Sequence, residues 1–474
     1  MPKKDNIKVS FCGENSSGVT GSCIWISTPN RQILLELGLY QSCGSTLDSY
    51  KINNKPFKFK AKDIDYVFVM HSHADHLCRV PLLYKRGGNA KIIAPENTKL
   101  LAEILLKDSS NIMRTDAEEL SKKFNRDYCP IYDEDDVYRS LKNYMEYPIG
   151  EMITLDEYIK FRFVPSGHIL NSAQLELWIT CGNVTKKIAY TSDLGNVHVD
   201  KYYTNTFKPI TKADIFIGES TYARELKIAN KSMRKKDLEK LKSSIIQTCV
   251  EEHGRVLIPV FAQDRAQNIL TYLYDLFHED ASFNVTVLVD SPMACNMCNA
   301  YSEILQDEQL NKWKDVLSWE NIHFVSDYIE SREWKDSNKP LIIVASSGMM
   351  VRGRSTMWAC SILPRANDRI ITCGYAAEGS VAHTIKNNTQ KTITVSGKKV
   401  ANKCQITVLN SFSSHMQRDS LLKNYGRVDA EKIILVHGEM EGKIAFSKEL
   451  QDELSKNNLT TRVICANKDF HINL

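Results

Sequence analysis

The chain has 474 residues, room for two or three domains, and its 43% hydrophobic and 25% charged residues are those of a soluble globular protein. No run reaches the roughly 20 apolar residues of a membrane span, and Met1-Pro2-Lys3-Lys4-Asp5-Asn6 lacks the apolar core of a secretory signal, so a membrane or secreted protein is not expected. Thirteen cysteines without such a signal point to reduced thiols in a cytoplasmic protein, and a net charge of +4 neither favours nor excludes a nucleic-acid partner, because a local groove can be basic on a near-neutral chain.

Strand-like and helix-like segments alternate throughout, with no repeat and no linker-like tract, which predicts an α/β architecture. Early strands are expected at 7–12, 23–27 and 32–37. Tyr66-Val67-Phe68-Val69-Met70, rich in β-branched and aromatic residues, is expected to be a buried strand. Helices are expected over 97–125 and 133–145, the second opening on Asp133-Glu134-Asp135-Asp136, where the helix dipole favours acid. Leu238, Leu241, Ile245 and Cys249 give helical spacing across 235–252, whose Lys and Glu residues form a solvated face. Further strands are expected at Arg255-Val256-Leu257-Ile258-Pro259-Val260, Val285–Val289, Leu341–Ala345, Arg369–Cys373 and Lys432–Val436. The lone CxxC, Cys295 to Cys298, has no second pair nearby and reads as part of a helix rather than a zinc or redox site.

The chemistry concentrates in His71-Ser72-His73-Ala74-Asp75-His76, directly after a predicted strand, where α/β proteins place their sites. Imidazole and carboxylate suit zinc best, with manganese or iron less favoured. His71 and His73, two apart on extended backbone, point the same way and can share an ion, while Asp75 and His76 follow one step later and can reach a second. One metal takes about four ligands, so this density implies two. Three more candidates also follow strand-like runs: His168 after Phe161-Arg162-Phe163-Val164-Pro165, Asp193 after Ile188-Ala189-Tyr190, and His437 after Ile433-Ile434-Leu435-Val436. A single histidine of this kind carries little weight; the ordered series HxHxDH, His168, Asp193, His437 carries much.

With these residues the chain resembles the metallo-β-lactamase superfamily, specifically its β-CASP branch of RNA- and DNA-processing nucleases, over nearly its whole length. Gly18-Val19-Thr20-Gly21-Ser22-Cys23 resembles the family's first hairpin. Leu106-Lys107-Asp108-Ser109-Ser110 and Pro130-Ile131-Tyr132 resemble a helical insert of prokaryotic RNA-processing members. Glu219 in Gly218-Glu219-Ser220-Thr221-Tyr222 matches the acidic β-CASP motif; His415 in Ser411-Phe412-Ser413-Ser414-His415 and His437 in Val436-His437-Gly438-Glu439 match its two histidines. The resemblance implies an αββα domain from 1–208 and 395–474, an inserted β-CASP α/β cap over 209–394, and an active site in the cleft between them. Two departures stand out. Glu36 occupies the place of a usual Asp that supports the metal loop, and His383 lies where many relatives carry a basic residue.

By the same resemblance, His71, His73 and His168 hold one zinc, Asp75, His76 and His437 the other, and Asp193 bridges them. Asp75, Glu219 and His415 are the catalytic group, with His415 as general acid toward the leaving 3′ oxygen and Glu219 orienting it. Ser346, Ser347 and Gly348, a Gly/Ser loop between a strand and a helix, are expected to meet substrate phosphates, with Arg265, Arg352, Arg354 and His383 as further contacts; Tyr222, Phe261 and Tyr375 are candidates for base stacking. The expected function is a zinc-dependent ribonuclease acting on single-stranded RNA, with a homodimer possible. The compact length resembles prokaryotic members and leans toward endonuclease. A 5′-exoribonuclease, a DNA-directed β-CASP nuclease, a small-molecule hydrolase on the same base domain and a catalytically silent subunit of an RNA-processing complex are the competing readings. Every ligand position is filled, which weighs against silence.

Overall fold

The computed structural model describes residues 6–41, 45–224, 229–374, 376, 379–387 and 390–474. The fold is α/β, and the chain divides into two compact units, one of Met1–Val197, Thr204–Ile228 and Ser414–Leu474, the other of His198–Tyr203 and Ala229–Ser413.

The first unit contains two seven-stranded sheets. One runs in the order His471–Asn473, Lys8–Phe11, Ile24–Ser27, Gln32–Leu35, Tyr66–Phe68, Lys91–Pro95, Tyr144–Tyr147. The other runs Arg462–Cys465, Lys432–Val436, Ile215–Glu219, Val184–Tyr190, Ala173–Cys181, Ile159–Pro165, Met152–Thr154. Alternation along each strand assigns its side chains to two cores. Ile33, Leu35, Phe68 and Met70 point inward to meet Phe161, Leu175 and Ile188 of the opposite sheet, and the Phe68 and Phe161 rings meet edge to face at 5.2 Å. Leu34, Val67 and Val69 point outward, onto the helices Val80–Lys85, Thr98–Phe124 and Glu134–Leu141. On the far side Phe216, Ile433 and Leu435 pack on Arg418–Tyr425 and Met440–Lys456. Helix, sheet, sheet, helix is the αββα order.

The second unit contains a six-stranded sheet, Ile322–Val325, Thr286–Asp290, Leu341–Ala345, Arg255–Pro259, Arg369–Cys373, Gln405–Leu409, in which every pair is parallel, and a small antiparallel pair, Thr392–Val395 with Lys398–Ala401. Its central strands are apolar on both faces, as helix-covered parallel strands must be. The CxxC lies in the helix Pro292–Ile304.

Three expectations change. The helix expected over 133–145 stops at Leu141, and Tyr144–Tyr147 instead pairs with Lys91–Pro95 as the edge of a sheet. The segment 235–252 lies in a helix that begins at Lys231 and widens to π-helical turns over Ile246–Glu251. The unit borders fall beyond 208/209 and 394/395, because Ile215–Glu219 is hydrogen-bonded between two strands of the first unit, whereas Gln405–Leu409 completes the sheet of the second.

Candidate metal centre

All seven proposed ligands lie in the first unit, at or just after the ends of strands. The chain leaves Tyr66–Phe68 into the turn that carries His71 and His73, and a short helix, Ala74–Leu77, then presents Asp75 and His76. His168 follows Ile159–Pro165, Asp193 follows Val184–Tyr190, and His437 follows Lys432–Val436. The approach is tight: a Cβ on Gly38 would lie 1.6 Å from the Asp75 carbonyl oxygen, and one on Gly195 would lie 1.8 Å from that of Gly167, beside His168. Only glycine lets these loops touch.

Two groups of donors result. In the first, His73 Nδ1 lies 3.2 Å from His71 Nε2 and 3.3 Å from His168 Nε2, and Asp193 Oδ2 lies 3.7 Å from His71 and 3.5 Å from His168. In the second, Asp75 Oδ2 lies 3.5 Å from His76 Nε2 and 3.4 Å from His437 Nε2, while the two oxygens of Asp193 lie 3.3 Å from His76 and 3.5 Å from His437. Tetrahedral donors about 2.0–2.1 Å from a zinc ion stand about 3.3–3.4 Å from one another. The observed edges bracket that value, and Asp193 belongs to both groups. His76 Nε2 and Asp193 Oδ1 are buried and make no hydrogen bond, as ligand atoms should. The residues fit a zinc-type site.

The electrostatics differ between the groups. Burial and neighbouring imidazoles hold His71 and His168 well below the usual histidine range, so their nitrogen lone pairs stay available. Burial opposes the charge of Asp75 and Asp193, but His76 and His437 outweigh it and hold both carboxyls well below the usual range. Burial likewise opposes protonation of His76 and His437. Against it, Glu36, Asp193 and Asp75 raise His76, and Asp193 and Asp75 push His437 up to about 9. A cation entering the second group must therefore displace protons.

An outer shell fixes the ligands. Glu36, fully buried, accepts from His76 Nδ1 at 2.6 Å, from the Tyr190 hydroxyl at 2.7 Å and from Ser192 Oγ at 2.6 Å. The extra methylene relative to aspartate is absorbed: the side chain reaches all three partners while its backbone sits at φ 61°, and the Glu36 N–H still donates to the Phe68 carbonyl. Ser192 Oγ also lies 3.3 Å from His71 Nδ1, and Thr221 Oγ1 lies 2.8 Å from His437 Nδ1. Ser192, Tyr190 and Thr221 were not recognisable from sequence as supports. Adjacency to Asp193 and Glu219 was the one available signal.

Glu219 and His415 lie in the same unit. Glu219 Oε1 is 3.6 Å from His415 Nδ1, and the carboxylate is anchored by the N–H groups of Leu194 and Thr221 at 3.0 and 2.9 Å. The His415 ring centre is 4.5 Å from that of His168 and 6.1 Å from that of His437, with the side chain one-fifth exposed. Tyr222 stands 6.2 Å from the same ring.

The expected phosphate contacts lie in the second unit. Ser346 Oγ is 2.6 Å from Ser291 Oγ, and Ser347 Oγ donates to the Arg352 carbonyl at 3.1 Å, so the loop hydroxyls are engaged internally. The helix after the loop begins only at Arg354, so Gly348 does not open it. Arg354 pairs with buried Asp290 at 3.1 Å and donates to two carbonyls, an internal role. Arg265 is the buried first residue of its helix, and Arg352 is half-buried. His383 lies against the Asn387 amide at 3.2 Å. Phe261 is exposed; Tyr375 lies outside the described residues.

A buried His/Asp centre at strand ends in an αββα sandwich defines a metal-dependent hydrolase. Family models agree. The metallo-beta-lactamase superfamily matches residues 20–126, the Beta-Casp domain matches 266–385, and the Zn-dependent metallo-hydrolase RNA specificity domain matches 399–461. The chain is 26% identical to ribonuclease TTHA0252 of Thermus thermophilus over 91% of this chain and 93% of that protein. It is 27% identical to the transcription termination factor FttA of Methanocaldococcus jannaschii over 91% of this chain and 67% of that one. To the cleavage and polyadenylation specificity factor 73 of Drosophila melanogaster it is 25% identical, over 92% and 61%. A solved protein of unknown function from Enterococcus faecalis superposes with a TM-score of 0.53 at 13% identity, covering 99% of this chain and all of that one, which supports the fold. The chain belongs to the β-CASP branch of the metallo-β-lactamase superfamily and carries that branch's Zn-dependent metallo-hydrolase RNA specificity domain.

Proposed function

We propose that the protein is a zinc-dependent ribonuclease that hydrolyses phosphodiester bonds of single-stranded RNA endonucleolytically, leaving 5′-phosphate and 3′-hydroxyl ends. The observation that carries this reading is the pair of donor groups, His71–His73–His168 and Asp75–His76–His437, with Asp193 within 3.7 Å of a histidine in each, and the Glu219–His415 pair beside them. The match to an RNA specificity domain over 399–461 supports an RNA substrate.

His71, His73 and His168 would hold one zinc and Asp75, His76 and His437 a second, with Asp193 within reach of both groups; the ions would supply Lewis acidity for the phosphoryl oxygens and lower the pKa of a water toward about 7. The remaining work belongs to side chains. Glu36 and Thr221 fix the rings of His76 and His437 through the nitrogen not facing the site, which sets ligand orientation. His415 delivers a proton to the departing 3′ oxygen. Glu219, its two oxygens already held by backbone N–H groups, keeps the imidazole aimed.

The test is single-stranded RNA labelled at its 5′ end in one sample and internally in another, with zinc-loaded protein and His73→Ala as control. Discrete fragments that vanish with the control support the proposal. Immediate release of labelled mononucleotide makes the protein a 5′-exonuclease. No cleavage by protein carrying its full zinc complement overturns the ribonuclease reading.

A further inference from the structure

Two cysteines face each other at the base of the first hairpin. In the antiparallel pair Lys8–Phe11 and Ile24–Ser27, Phe11 lies opposite Ile24, so the next step of the register sets Cys12 against Cys23. The N–H groups of Cys12 and Gly13 both donate to the Cys23 carbonyl at 2.9 Å, a two-against-one bulge that closes the ladder at this point. The two thiols are near enough to perturb each other, the Cys12 thiol also donates to the Ser10 carbonyl at 3.7 Å, and both cysteines are free. Residues directly opposite on antiparallel strands hold their Cβ atoms about 4.5–5.5 Å apart. A disulfide needs about 3.5–4.5 Å, a range that adjoins this spacing.

The surroundings suit a reactive thiol. Cys12 is half-buried and therefore reachable, whereas Cys23 is buried behind it. Lys58 and Lys8 act on Cys12, and Arg79 and Lys58 on Cys23, so the pair sits in a positive field. The hydrogen bond from Cys23 and these cations lower Cys12, while the same bond and burial raise Cys23. The thiol that ionises more easily is thus the one nearer solvent, the arrangement in which thiols react.

We propose that Cys12 and Cys23 form a redox-active dithiol, with Cys12 as the attacking sulfur and Cys23 as the resolving one, oxidised by hydrogen peroxide. The Cys12 thiolate attacks a peroxide oxygen; the S–O bond forms, the O–O bond breaks, and the departing oxygen leaves as water after taking a proton. The Cys23 sulfur then attacks the sulfenic sulfur of Cys12. The S–S bond forms, the S–O bond breaks, and the hydroxyl leaves as a second water with the Cys23 proton. Both sulfurs are oxidised and one peroxide is reduced to two waters. The link would lock a segment that supports the metal loop: Ser22, adjacent to Cys23, donates its N–H to the Asp75 carbonyl at 2.9 Å and accepts from the Gly38 N–H at 2.8 Å.

The experiment treats full-length zinc-loaded protein with hydrogen peroxide, quenches with N-ethylmaleimide, digests without reductant and maps every cysteine by mass spectrometry. The expected result is a peptide joining Cys12 to Cys23, lighter by two hydrogens than the reduced pair, and its disappearance with dithiothreitol. Exposed Cys129 should keep its maleimide label over the same interval. In Cys23→Ser, dimedone should capture a sulfenic acid at Cys12. Recovery of Cys12 and Cys23 fully labelled while Cys129 is oxidised would overturn the proposal. So would a Cys12 bond to any other cysteine, or no dimedone adduct at Cys12 in a folded Cys23→Ser protein.

Discussion

Replacing Glu36 by glutamine removes a charge behind the metal site while keeping its shape. The carboxylate binds His76 and Tyr190 through Oε2 and Ser192 through Oε1. Glutamine has the same volume, and its carbonyl oxygen can serve His76 and Tyr190. The amide nitrogen then faces Ser192, whose hydroxyl can turn to accept. What is lost is the negative end of the carboxylate–imidazole pair. Hydrogen bonds to a charged group contribute about 1.5–3 kcal/mol, which is roughly a 10–100-fold change in affinity at about 1.4 kcal/mol per decade. Loss of an outer partner of a ligating histidine costs about the same, 10–100-fold. A second effect opposes it. Glu36 also helps to keep a proton on His76, so its removal lets the cation compete better where that proton is bound. The deficit should therefore be largest near pH 9 and should narrow toward about pH 6.5. The assay is zinc competition against a chromophoric chelator at both values. Glu36→Asp serves as the shape control, since a side chain about 1.5 Å shorter cannot span His76 and Ser192 together. Unchanged zinc affinity of Glu36→Gln near pH 9, or a deficit that grows on acidification, would refute the reasoning.

The zinc affinity of the unaltered protein should rise with pH between about 7 and 9, because His437 must lose its proton first; that proton accounts for up to about 100-fold over this range, and a flat profile by chelator competition would contradict this. The metal-free fold has the opposite sign. A histidine raised to about 9 contributes stability that is fully present below its unfolded value of about 6.5 and is lost as pH rises through 9, which denaturant melts would detect. His415→Ala should lower turnover by about 10²–10⁴ with zinc content unchanged, and adding Glu219→Gln should then cost little more; loss of zinc from His415→Ala would make the residue structural. Lys443, fully buried, donates to the carbonyls of Ser16 and Ala466, while the neighbouring Asn15 carbonyl accepts from the His437 N–H at 2.9 Å. Lys443→Met should therefore cost about 1–3 kcal/mol of stability for unpaired carbonyls; an unchanged denaturation midpoint would show that they find other donors. Gly38→Ala, which places a carbon 1.6 Å from the Asp75 oxygen, should cost about 3 kcal/mol or more and release the ligand loop, read as loss of zinc together with the melting temperature.

What the sequence disclosed depended on whether a signal was local. His71 to His76 crowd into one turn after one apolar strand, and both ligand type and spacing are visible there. His168, Asp193 and His437 could be ordered because each follows a strand, and strand exits gather at one edge of a sheet. Their supports were hidden. Tyr190 and Ser192 meet Glu36 only because strands more than a hundred residues apart face each other. The segment Tyr144–Tyr147 carries a pattern compatible with helix, and pairing with Lys91–Pro95 decided otherwise. The strand Gln405–Leu409 lies inside the RNA specificity match in sequence yet completes the sheet of the second unit, a choice made by its hydrogen-bonding partner Arg369–Cys373. The Ser346–Gly348 loop looked ready for phosphate, but its hydroxyls have protein partners that no local pattern announces. The clustering of the His and Asp donors was therefore legible, whereas the internal partners of the Ser346–Gly348 loop were not.

The most direct test of the central claim is zinc titration of metal-free protein while cleavage of internally labelled single-stranded RNA is followed. Activity should appear only as a second equivalent binds each chain, and His73→Ala should stay inactive across the same range. Full activity after one equivalent, or cleavage by metal-free protein, would contradict a centre in which Asp193 joins two zinc sites.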